Sequence, residues 1–140
     1  MEQRIKDAIA LAVEARLHAY TPYSHYKVGA AIISDETNTI YSGCNVENGS
    51  YGATICAERG AVMKMISEEG GHTINTLVVV SHDTPPAPPC ALCLQVLAEF
   101  CTPDTQVYLL DIDYVEKGLG DIVTYTFSDL LPHPFVLKKK

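Results

Sequence analysis

The sequence predicts an α/β fold of three layers, with helices on both faces of a five-stranded mixed sheet. Three observations carry that expectation. Helical and strand-like segments alternate in the order α-β-β-α-β-α-β, followed by a strand and a short helical turn. Thr76 to Ser81 is almost continuously apolar, as a strand is when both faces of its sheet are covered. Two early strands are joined by the short turn Asp35-Glu36-Thr37-Asn38, so they form a hairpin and part of the sheet is antiparallel.

Each element follows from local signals. Residues 2–19 read as a helix, because Ile5, Ala8, Ile9, Ala12, Ala15 and Ala19 recur at spacings of three and four. The alanines allow close approach to whatever this helix packs on. Thr21-Pro22-Tyr23-Ser24 breaks it. Lys27 to Ser34 and Thr39 to Cys44 are the hairpin strands. Ile55 to Glu69 is helical, with Ala57, Ala61, Val62 and Met65 in register, and Gly70-Gly71 ends it. After the strand from Thr76 to Ser81, four prolines between Pro85 and Pro89 stiffen a loop. Cys90 to Cys101 reads as a helix with Pro89 at its start, where a missing N–H is no loss. Gln106 to Asp111 and Ile122 to Thr126 are the last strands, and Ser128 to Leu131 is a helical turn.

The chain has 140 residues, 10 Lys plus Arg against 17 Asp plus Glu, and a net charge of −7. One domain over residues 1–140 is expected, since a chain of this length buries roughly 70% of its unfolded surface. Acidity without a basic stripe argues against polymeric nucleic acid as a partner. Lys138-Lys139-Lys140 reads as a solvated tail. The longest apolar run, Ala8 to Val13, is far too short to cross a membrane, and Asp7 and Glu14 bracket it, so it is a poor signal-peptide core as well. A cytoplasmic location is expected. Five cysteines cannot all pair within the chain, and in a reducing compartment their clustering points to metal or catalysis.

Two segments carry chemistry: Cys56-Ala57-Glu58-Arg59 and Pro89-Cys90-Ala91-Leu92-Cys93. Both fall at expected helix N-termini. Cys90 and Cys93 share one helix face, a bidentate platform for zinc, and Cys56 makes a third ligand while leaving the fourth position open, the pattern of a catalytic site. Helix dipoles and the Arg59 guanidinium would offset the charge of three thiolates. Cys-x-Glu followed by Pro-Cys-x-x-Cys is the pattern of zinc deaminases, in which the glutamate is not a ligand but moves protons. A redox Cys-x-x-Cys is the competing reading, and it leaves Glu58 unexplained. Cys44 and Cys101 read as core residues. None of the five histidines shows paired ligand spacing; His82, after a core strand, is the one of interest.

Over nearly its whole length the sequence resembles the small, homotetrameric cytidine deaminases. The matching pieces are Tyr20-Thr21-Pro22-Tyr23-Ser24, Val28-Gly29-Ala30-Ala31, Gly43-Cys44-Asn45-Val46-Glu47-Asn48, the two cysteine motifs with Leu94 to Glu99 behind them, and Leu130-Leu131-Pro132. Asn45-Val46-Glu47-Asn48 separates deaminases of free nucleosides from relatives acting on tRNA, DNA or guanine. The resemblance implies a cytidine-deaminase-like fold and one Zn²⁺ per subunit on Cys56, Cys90 and Cys93. It implies that Glu58 shuttles protons during hydrolysis of cytidine or deoxycytidine to uridine or deoxyuridine plus ammonia. It implies a ribose clamp of Asn45 and Glu47, and it includes Ala57 among the substrate-binding residues. Tyr26 stands where the family usually has a Phe against the pyrimidine. Phe135 and Tyr51 match positions that reach a neighbouring subunit. One departure stands out: Leu94 replaces an arginine, leaving Arg59 as the one cation expected beside the thiolates. Two other readings compete, namely a deaminase of a modified or antibiotic aminonucleoside, and a non-catalytic zinc-stabilised scaffold. Asn45 and Glu47 speak against the first, and Glu58 against the second.

Overall fold

The structure, a computed structural model, describes residues 1–118 and 122–139. Lys140, the last residue of the lysine tail, lies outside the described residues. The order is α1 (Gln3–Leu17), β1 (Gly29–Ser34), β2 (Ile40–Cys44), α2 (Ala57–Glu69), β3 (Ile74–Ser81), α3 (Ala91–Ala98), β4 (Cys101–Asp111), α4 (Ile112–Lys117), β5 (Ile122–Thr126) and α5 (Phe127–Leu130). A single 3-10 turn, Tyr51–Ala53, precedes α2. Among the described residues no helix is long and apolar enough to cross a membrane.

The five strands run in the order β2-β1-β3-β4-β5. Only β3 and β4 are parallel; the β1–β2, β1–β3 and β4–β5 pairs are antiparallel. The expected mixed sheet is therefore present. Its period-two alternation sorts the core into two layers. Leu77 and Val79 of β3 face α2, α3 and α5, where Ala61, Val62, Met65, Leu97 and Phe127 are buried. Val78 and Val80 face the other side, where Ala8 and Ala12 of α1 and Ile112 of α4 are buried. Burying a side chain of valine or leucine size contributes about 1.5–3 kcal/mol, so a strand covered on both faces anchors the sheet.

Two glycines set how closely the helices approach. A Cβ on Gly29 would stand 1.9 Å from the Ala12 carbonyl oxygen, so α1 can lie on the sheet only because no side chain is there. A Cβ on Gly43 would stand 2.5 Å from the Ala61 nitrogen and 2.6 Å from the Ala57 oxygen. Gly43 thus seats the first turns of α2 on β2.

The structure departs from the expected boundaries most at α3, β4 and α4. The third helix ends at Ala98, and Cys101 begins β4 instead of closing a helix. β4 starts five residues earlier than Gln106 because Cys101 pairs with Ile74 before the register shifts. Thr105 bridges that irregularity, donating to the Ile74 carbonyl at 2.7 Å and accepting from the Thr102 N–H at 3.0 Å. α4 has no apolar periodicity to announce it. It is held by its ends: the Asp111 carboxylate accepts from the Asp113 N–H, and Gly118 follows in the left-handed region at φ 69°.

Candidate active site

The site lies where β3 ends and where α2 and α3 begin, the carboxyl-end position at which α/β sheets place ligands. Cys56 is the N-cap of α2 and Cys90 that of α3, both with extended backbone and neither with its side chain used as a cap. Cys93 stands one turn further into α3 and is fully buried. The Cys56 and Cys90 sulfurs are 3.9 Å apart, and those of Cys90 and Cys93 3.5 Å. All three lie within 4.8 Å of one another. Tetrahedral zinc with Zn–S bonds of about 2.3 Å holds its sulfurs about 3.8 Å apart, so the cluster has the spacing of a zinc site.

Electrostatics agree with that fit. A hydrogen bond from Cys93, followed by the Arg59 guanidinium, brings the Cys56 thiol down to about 5. The converse holds for Cys93, which donates to Cys56, is buried, and stays protonated well above the thiol range. With the charge on Cys56 beside it, Cys93 ionises only when a cation joins the cluster. Arg59 donates from Nη2 to the Thr54 carbonyl at 3.1 Å and lies 3.6 Å from the Cys56 sulfur. The residues present therefore fit zinc.

Glu58 occupies the second position of α2 and is 4% exposed. Burial pushes its carboxyl up to about 7; the Cys56 charge acts in the same direction and Arg59 against it. A carboxyl that titrates near neutrality can both take and give a proton. Glu58, Ala57, Cys56 and Cys90 line a cavity of about 210 Å³ that also touches Tyr26 and Asn45.

The remaining expected site residues divide. Asn45 is 9% exposed; its Oδ1 accepts from the Val28 N–H at 2.9 Å and its Nδ2 donates to the Tyr26 carbonyl at 2.8 Å. One amide hydrogen remains for a ligand. Glu47 lies outside this cavity, in an adjoining hollow with Tyr23, Ser24, Asn48 and Tyr51; Thr54 borders both. Its carboxylate accepts from the Tyr23 and Ser24 N–H groups, each at 3.1 Å, and from the Ser24 hydroxyl. The Ser24 hydroxyl is the main reason its carboxyl sits below the usual range. Tyr51 is 79% exposed, its ring edge-on to Tyr23 with centroids 6.5 Å apart. Phe135 is 67% exposed on a tail tied to α3 by a 3.3 Å bond from Gln95 Nε2 to the Phe135 carbonyl.

Leu94 is half-buried and packs against the core layer that holds Leu97 and Met65. His82 joins Asp111 and Asp113 in a second cluster of possible ligands. Asp111 is already committed there, accepting from the Asp113 N–H at 3.0 Å and from the Thr84 hydroxyl at 2.5 Å. Sequence reasoning missed Ser81 and Thr54, which also line the cavity. The available signal for Ser81 was its place as the last residue of the apolar strand.

Residues 2–109 match the family model described as the cytidine and deoxycytidylate deaminase zinc-binding region. The cytidine deaminase of Halalkalibacterium halodurans is 45% identical over 124 residues, 89% of this chain and 88% of that protein. The cytidine deaminase of Sporosarcina psychrophila is 42% identical over 131 residues, 94% of this chain and 90% of its own. Among solved structures, cytidine deaminase from Burkholderia pseudomallei superposes with a TM-score of 0.82 at 36% identity, covering 93% of this chain and 98% of that one.

Proposed function

The chain belongs to the zinc-dependent cytidine deaminase family, and from that premise we propose that it hydrolyses cytidine and deoxycytidine to uridine and deoxyuridine, releasing ammonia, as a single deaminase domain. One observation carries the reading. A buried carboxyl that is not part of the cysteine cluster opens into the same cavity as Cys56 and Cys90. A structural zinc site has no use for such a group.

Zinc held by Cys56, Cys90 and Cys93 supplies the Lewis acidity that makes water a nucleophile at neutral pH. The protein's own groups do the rest. Glu58 takes a proton from the attacking water and passes it to N3 of the ring, which readies C4 for addition. Glu58 then takes the remaining proton of that water, from the hydroxyl now bonded to C4, and carries it to the amino group, so that the C4–N bond breaks with departure of ammonia and C4 becomes a carbonyl. The N–H group at the start of α2, at Ala57, is a donor for the ring carbonyl. Asn45 and, with its turn rearranged, Glu47 hold the ribose. Tyr26 packs against the base, and Arg59 keeps Cys56 ionised.

The same reading includes a homotetramer, a cytoplasmic location and a place in pyrimidine salvage. Exposure of Phe135 and Tyr51 supports the assembly, since both are apolar groups with little of the subunit around them. Metal analysis of the purified protein should give close to one zinc per chain, and cytidine should release ammonia. Zinc binding without ammonia release would sink the enzyme reading. Full zinc in a Cys90→Ala/Cys93→Ala double variant would sink the ligand assignment. An active monomer by light scattering would remove Phe135 and Tyr51 from any shared site.

A further inference from the structure

The turn that carries Glu47 is tied on both sides to the short segment leading into α2. On one side Val46 and Ile55 form an antiparallel bridge, each N–H donating to the other's carbonyl at 2.9 Å. On the other side the Asn48 N–H donates to the Thr54 hydroxyl oxygen at 3.2 Å. Glu47 is the residue between these two ties, and Cys56 comes directly after the segment that makes them. Thr54 is itself fixed. Its N–H donates to the Tyr51 carbonyl at 3.1 Å, and its own carbonyl accepts from Arg59 Nη2 at 3.1 Å. Thr54 therefore meets the sugar turn with its side chain and the zinc-side helix with its main chain, at the border of the cavity and the adjoining hollow.

Only one of the two ties depends on a side chain. The Val46–Ile55 bridge is main chain, whereas the Asn48 tie vanishes with the Thr54 hydroxyl. Asn48 is exposed, so water replaces that oxygen and little stability is lost. What is lost is the fixed position of the turn, and a shift of about 1 Å in a group that holds substrate is enough to slow a reaction. This step rests on the function proposed above, in which Glu58 meets the base while Glu47 holds the ribose. The Glu47 side chain leaves Tyr23 and Ser24 to reach the sugar, but its main chain stays with Ile55 and Thr54. We propose that Thr54 is a positioning residue for the sugar: by holding Asn48 it sets Glu47 at a fixed distance from the zinc-side end of α2, so that the ribose hydroxyls are gripped in register with C4.

The test compares cytidine with 2′,3′-dideoxycytidine, whose sugar ring carries no hydroxyl for Glu47 to hold. The zinc-loaded parent should prefer cytidine in kcat/KM. Thr54→Val should lower that preference about fivefold, the factor one neutral hydrogen bond supplies, with most of the change in KM for cytidine. Thr54→Ser keeps the oxygen and should retain the preference. Thr54→Ala removes the oxygen without bulk and should behave as Thr54→Val does. In a Glu47→Ala background Thr54→Val should lower the preference no further, because the side chain it positions is gone. The ratio cancels any general loss of activity. Equal losses on both nucleosides in Thr54→Val and Thr54→Ala would overturn this inference alone. So would a full effect of Thr54→Val without Glu47, or a parent that turns over both nucleosides equally well. Absence of turnover on cytidine by the parent would overturn the deaminase reading beneath it as well.

Discussion

Cys56, Glu58, Cys90 and Cys93 stand on the first turns of two helices packed against the sheet, whereas Tyr23, Asn45 and Glu47 stand on loops and Tyr51 opens a single 3-10 turn. The first group is held from below. Gly43 seats α2, Leu97 anchors α3, and Cys93 and Glu58 are all but removed from water. The second group is held sideways, by hydrogen bonds between loops. Val46 bridges Tyr20 on one side and Ile55 on the other, and the Glu47 carboxylate clasps the turn at Tyr23 and Ser24. The difference teaches where precision is needed. Three sulfurs must keep a fixed spacing for zinc, and helix starts deliver it. The loops carrying Tyr23, Glu47 and Tyr51 are of looser construction and leave aromatic groups exposed.

The sharpest way to break this contrast is at Glu58. Glu58→Ala should retain zinc and fold but lose about 10²–10⁴-fold in kcat, the contribution of a positioned acid–base group. Near-normal turnover, with zinc content measured on the same sample, would mean that another group moves the protons. Glu47→Ala probes the looser half. KM for cytidine should rise by about tenfold, the order of a lost charge-assisted hydrogen bond, with a smaller change in kcat. A lower melting temperature with KM unchanged would leave Glu47 as a clasp of the turn only.

Leu94 tests the rigid half from its core side. Its packing against the apolar layer predicts that Leu94→Arg lowers the melting temperature by roughly 5 °C, because a guanidinium cannot replace that contact without strain. The acidic limb of kcat/KM should stay in place. Movement of that limb to lower pH without loss of stability would show instead that the guanidinium reaches the thiolates and makes zinc a stronger Lewis acid. The smallest effect concerns Asp111, at the end of β4. The Thr84 hydroxyl and then the Asp113 N–H hold its carboxyl below the ordinary 3.8. As pH falls, the unfolded chain therefore takes up this proton first. The charge adds stability above about pH 4 and loses it as pH drops through the folded value. Asp111→Asn keeps a capping oxygen but does not titrate, so urea midpoints of variant and parent should differ at pH 7 and converge toward pH 3. A gap that stays constant across that range would remove the charge from the account.

Local chemistry made much of this legible before any coordinates. Cys-x-Glu and Pro-Cys-x-x-Cys are short, and each places its own residues on one helix start, so spacing alone sets the geometry within each motif, and packing of α2 against α3 brings the two together. The hairpin, β3 and α2 follow from patterns with periods of 2 and 3.6, which are properties of a few neighbouring residues. Asn45 was legible as a site residue through family resemblance, but its two structural bonds to Val28 and Tyr26 were not. α4 was missed because its helix is decided by caps at Asp111 and Gly118, with little apolar face to see.

By itself, then, the sequence determined the α/β class, the order of its main elements and the two short motifs that hold the cysteines and Glu58, since each of these depends on residues close together in the chain. Only the tertiary structure decided which face Leu94 takes, that Glu47 spends its carboxylate on Tyr23 and Ser24, and that Ser81 lines the cavity. Those outcomes join residues from different elements, as with Tyr26 and Asp83, 57 positions apart. Their partners are chosen by how the sheet and helices pack, and no local pattern encodes that choice.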